Sequence, residues 1–89
     1  MKLLTKLLIR KFPPLESTDE ENPGNIKIPC KFFLPGTMWT WWPFEYDGID
    51  TFFGLVRGEA KELGYFTLEQ LRQRKGQMGM RVERDKFFS

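Results

Sequence analysis

The chain has 89 residues and a formal net charge of +2; it holds nine Phe, three Trp and two Tyr, no His and one Cys. That length suits one domain, 1–89, with one core, and each buried ring removes roughly 150–250 Å² from water. Lack of His removes the usual general base and the commonest metal ligand, and a single Cys builds neither an internal disulfide nor a thiolate zinc site.

The opening, MKLLTKLLIRKF, has some features of a secretion signal. Lys6 and Arg10 interrupt its apolar stretch, however, and no small-residue cleavage site follows. No apolar run is long enough to span a bilayer. A lone thiol fits a reducing compartment, so the expectation is a cytoplasmic protein with no membrane partner. Thr5 has N-cap chemistry, and Leu4, Leu7, Leu8 and Phe12 fall at helical spacing. Leu7, Leu8 and Phe12 are expected in the core. Pro13-Pro14 stops the helix. Glu16 to Asn25 is acidic, polar and closed by Pro-Gly, which marks an exposed loop.

Four strand-like segments come next. Ile26, Ile28, Cys30 and Phe32 alternate along the first, and Pro29 places it at a sheet edge. Pro35-Gly36 supplies a tight turn. Met38 to Tyr46 is strongly β-prone. Pro43 is awkward in an internal strand, so either the strand ends near Trp42 or Pro43 sits at a bulge. Asp47-Gly48 turns the chain into Thr51 to Arg57, and Gly58 reverses it into Glu59 to Phe66. Thr67 and Gln70 have capping-box spacing for a second helix, with Leu68 and Leu71 on its inner face. Gly76 stands where a C-terminal Gly is expected, and Arg81 to Phe88 adds a short extended segment. The fold expected is α+β: an antiparallel β-meander of about four strands flanked by an N-terminal and a C-terminal helix.

No Walker loop, GxGxxG or GxSxG occurs, and no Ser or Thr has an evident base partner. Glu45, Asp47 and Asp50 lie close together around a turn. Paired carboxylates can do acid/base work or bind a hard cation, whereas the plainer reading is a solvated β-turn. The sequence implies no catalytic residue, metal or cofactor.

Two features carry the functional reading. In an extended strand Trp39 and Trp41 point one way, and Trp42, Phe44 and Tyr46 the other, unless Pro43 breaks the alternation. One set is then either covered by a helix or the tail, or open as an interface anchor. The second feature is charge. Met1 to Leu15 has four basic groups and no acid, Glu16 to Glu69 is net acidic, and Gln70 to Ser89 has six basic groups against two acids. Basic ends around an acidic middle steer a partner without naming one. The contacts expected are Trp39, Trp41, Trp42, Tyr46, Arg72, Arg74, Arg81 and Arg84.

The segments KLLTK, PPL, KFFLPGTMWTW, FEYDGIDTFFGLV, ELGYFTLEQL and GMRVERDKFF, in that order, resemble the small bacterial family called domain of unknown function 2958. The chain departs from that pattern in MWTWWPF and at Gly79-Met80-Arg81. The resemblance implies carriage by plasmids, phages and integrating elements, and hence an inhibitor of restriction or CRISPR immunity that binds a protein or nucleoprotein complex. It brings no catalytic residues. The function expected is a non-catalytic interaction module; its rivals are a nucleic-acid-binding accessory protein using its basic ends and, last, a carboxylate enzyme.

Overall fold

The computed structural model describes residues 2–18 and 26–88. Among these residues five strands form one antiparallel sheet: β1 (Phe32–Phe33), β2 (Thr40–Tyr46), β3 (Thr51–Arg57), β4 (Lys61–Thr67) and β5 (Glu83–Arg84), in the order β4-β3-β2-β1-β5. Two short helices, α1 (Lys6–Ile9) and α2 (Leu68–Gln73), complete an α+β fold. The meander runs from β1 to β4 through consecutive hairpins, and the extended tail adds β5 beside β1.

Local chemistry explains the turns. Gly36 has φ +77°, which a side chain would resist, and the Thr37 amide donates to the Leu34 carbonyl across the turn. Asp47 Oδ1 accepts from the amides of Ile49, Asp50 and Thr51 at 2.8, 2.8 and 3.0 Å, fixing the β2–β3 loop. Those bonds, led by the Ile49 amide, hold the Asp47 carboxyl below its usual range. The Thr67–Gln70 capping box is complete. Asp50, just before the neighbouring strand, reinforces it, its carbonyl accepting from Leu68 N and its carboxylate from Glu69 N.

The first strand differs from expectation. Only Phe32–Phe33 pairs, and it is internal, with β2 on one side and β5 on the other. Pro29 has no amide to donate and lies outside the ladder. Cys30 and Phe32 still turn inward, at 3% and 0% exposure. The second helix also ends earlier, at Gln73, and Gly76 does not cap it. Gly76 has φ −93°, donates to the Met80 carbonyl, and leaves room for Leu34.

Between Pro43 and Glu45 the β2–β3 register shifts by a bulge. Pro43 pairs with Gly54, where a Cβ would collide with the Trp42 carbonyl and Pro43 Cα. Close approach of the two backbones therefore requires glycine. The extra residue resets the alternation, so Tyr46 joins Trp41 on one face instead of opposing it.

That face carries the core: Phe32, Trp41, Tyr46, Phe52 and Phe66, with Leu68, Leu71 and Val82. The N-terminal segment lies over it. Thr5 caps α1 by accepting from Leu8 N, and Phe12 meets Tyr46 and Phe52 edge-on. With α1 only four residues long, the inward residues are Leu3, Leu4, Leu8 and Phe12; Leu7 is exposed, contrary to its helical spacing. Arg84 Nη1 donates to the carbonyls of Lys2 and Leu3, 2.9 Å each, tying the tail to the start of the chain.

Candidate interaction surface

The core uses one side of the sheet. The pairings place Trp42, Leu55 and Leu63 in one transverse row on the other side, and Glu45, Phe53 and Tyr65 in the next. Phe33, Thr40, Arg57 and Lys61 form a third row, continued by Glu83 on β5. The outer face therefore has a hydrophobic middle, cations on the β3–β4 side and a carboxylate at β5.

Among the described residues, cover on this face lies at one end. After Pro14 the chain rounds the sheet, and the Glu45 carboxylate accepts from Glu16 N at 2.8 Å and Thr18 N at 2.7 Å. Glu45 is 2% exposed, and this clamp holds Glu16 at φ 66°. Phe44 lies beneath, edge-on to Phe53. Farther along, Trp42, Phe53 and Leu55 are half-buried, while Leu63 is 54% and Tyr65 61% exposed. Phe53 packs against Tyr65 at 4.9 Å, and Lys31 Nζ sits 5.8 Å from the Trp42 ring while also 3.9 Å from Asp85. Rigid sheet rings half open to water are typical binding anchors.

The eight expected contacts do not form one surface. Trp41 and Tyr46 are buried core residues, 4% and 5% exposed, and are withdrawn as contacts: the bulge turns Tyr46 inward against Phe12, and Trp41 stacks on Trp39 with the Arg74 guanidinium 5.8 Å from its ring. Desolvation, followed by the Asp47 and Asp50 charges, raises the Tyr46 pKa above its usual value. Arg84 is a fastener for the N-terminal segment. Arg81 Nη1 donates to the carbonyl of exposed Arg72. Trp39 and Arg74 do meet, with the guanidinium 4.0 Å from the ring centroid and Trp39 stacked on Trp41 at 6.0 Å. That stack lies on the core side, where Trp39 covers Gly58. Trp42 alone among the eight belongs to the open face.

Phe53, Leu55, Leu63 and Tyr65 are functional candidates that sequence reasoning missed. Their alternation is plain in the sequence, but alternation does not reveal which face the rest of the chain covers.

The three carboxylates do not converge. Glu45 clamps residues 16–18, Asp47 holds its own loop and Asp50 caps α2. Burial pushes the Cys30 thiol up to about 12, against the pull of Arg84, so it stays protonated at neutral pH. Among the described residues no group of three or more His, Cys, Asp or Glu could hold a metal ion, and no helix is long and apolar enough to cross a membrane.

A family model described as protein of unknown function (DUF2958) matches residues 3–89. No curated protein and no solved structure matches the chain.

Proposed function

The chain belongs to the DUF2958 family, and from that premise we propose that it is a non-catalytic protein-interaction module that works by occupying a partner's surface with its outer sheet face. The observation that carries this reading is the open row Trp42, Leu55 and Leu63 beside Phe53 and Tyr65. A small domain gains most from burying every large apolar group it has, and this one leaves several half open on a rigid sheet. The partner class we favour is a host defence protein or nucleoprotein complex, restriction or CRISPR, as the family resemblance suggests.

The test is a tagged pull-down from host lysate, with and without nuclease, comparing wild type with Trp42→Ala and Leu55→Ala. Those two positions lie inside the face and away from its edges. Capture should survive nuclease and fall in both variants. Undiminished capture by both would sink the assignment of this face.

A second reading has one observation in its favour: Arg57 and Lys61 adjoin the aromatic rows, an arrangement on which single-stranded bases can stack. Against it, Glu83 and Asp85 border the same face, and Asp85 pairs with Lys31. This reading predicts binding of single strands that weakens steeply with salt. No binding at low salt would dismiss it.

A further inference from the structure

Strand β4 ends the sheet, so among the described residues one of its sides has no strand neighbour. An edge strand points a row of N–H and C=O groups outward, and proteins usually guard such rows with charge, Pro, a bulge or brevity. The opposite edge follows that rule, because β5 is two residues long and both are charged. By contrast, β4 has seven residues and pairs with β3 in unbroken register from Lys61 to Thr67. Lys61 and Glu62 guard only its start; Leu63-Gly64-Tyr65-Phe66 has no charge and no Pro. Leu63 and Tyr65 are the strongly exposed large apolar side chains within the strands.

We propose that β4 is the seam of a homodimer, pairing antiparallel with β4 of a second copy about a two-fold axis midway between the two opposed Gly64 residues. A two-fold contact must be self-complementary, and β4 meets that demand in this register. Leu63 of each copy lies opposite Tyr65 of the other, Lys61 opposite Thr67, and Glu62 opposite Phe66. Two apolar cross-strand pairs form on the outer face, and no like charges oppose. A Cβ at Gly64 would meet nothing within 4 Å, so among the described residues no group of its own chain crowds that point. The seam would join the outer faces of two copies into one continuous surface. This pairing goes beyond the reading of that face as a partner site and does not depend on it.

Sedimentation of the full chain over a concentration series tests the seam. The wild type should dimerise with rising concentration. L63K/Y65K opposes cations across the seam twice and should weaken the dimer by about tenfold or more. L63K/Y65E should restore it, because only the Gly64-centred register sets each new cation opposite a new carboxylate. A register centred on Tyr65 would set the two new carboxylates against each other and stay weak. Circular dichroism verifies that the variants, both at exposed positions, keep the fold. A wild type that stays monomeric to its solubility limit overturns the proposal, as does a dimer indifferent to L63K/Y65K, or one that L63K/Y65E fails to restore. The outcomes separate from those of the face reading. A monomer that captures a protein through Trp42 removes the seam alone. A dimer whose Trp42→Ala and Leu55→Ala variants capture like wild type removes the face reading alone.

Discussion

The two faces of the sheet are built from the same kinds of residue but differ in what covers them. The inner face has Phe32, Trp41, Tyr46, Phe52 and Phe66, between 0 and 5% exposed. On the outer face are Phe33, Trp42, Phe53 and Leu55, all half-buried, with Leu63 and Tyr65 more than half exposed. The N-terminal segment, α2 and Val82 pack on the inner face, whereas the Glu45 clamp draws residues 16–18 over one end of the outer face. Apolar composition therefore does not make a core; a layer of chain on top does.

Core truncation gives the largest contrast. Phe52→Ala should cost about 3–5 kcal/mol, since Phe52 is fully buried and touches four aromatic rings. Tyr65→Ala, measured in dilute solution, should cost less than about 1 kcal/mol. Chemical denaturation decides; equal losses would mean that the outer face is packed as tightly as the inner, and the comparison would collapse.

The inner face should also reject charge. Cys30 has its pKa raised from 9.0 to about 12 by burial, and Tyr46 is raised too. Raised acids favour the folded state fully below their unfolded values, and that contribution is lost as pH climbs through the folded ones. The unfolding free energy should therefore fall from about pH 9 toward pH 12, by on the order of 2–4 kcal/mol. Cys30→Ala should flatten part of that fall, and an unchanged slope would place Cys30 in a wetter site. Asp47 has the opposite sign: its lowered pKa contributes stability that disappears as pH drops below 3.8.

Cover at the end of the outer face should depend on one side chain. Glu45→Gln should cost about 1–3 kcal/mol and speed hydrogen exchange at the Glu16 and Thr18 amides without loosening the core. Exchange unchanged at those amides would show that something else holds the segment. The smallest effect expected is at the Trp39 corner, where Arg74→Ala should remove about 0.5–1 kcal/mol and alter Trp emission. No change in either signal would mean that the stack contributes nothing in solution.

Much of the fold was legible because it rests on short-range chemistry. Thr51 to Arg57 is a strand as read, Pro35-Gly36 turns, and the Thr67–Gln70 box forms. The failures all involve distant partners. Internal β1 shrank to two residues because Pro29 cannot join a ladder that is paired on both sides. Gly76 makes room for Leu34, a contact between segments far apart in the chain. The surface was less legible still. Trp42 lies on the open face, but the side taken by Tyr46 hung on whether Pro43 broke the alternation, and the one bulge residue there inverts the faces of all that follow it in β2.

By itself, the sequence determined an α+β meander with its turns and caps, its family, and the presence of more aromatic strand positions than one face can hold. Tertiary structure decided which of those rings are core and which are open, that β4 lies at an edge, and that three neighbouring carboxylates serve three separate structural tasks. The physical reason is that a period of two sorts strand residues into two sets without saying which set is buried. Only the course of the N-terminal segment, α2 and the tail across the sheet breaks that symmetry.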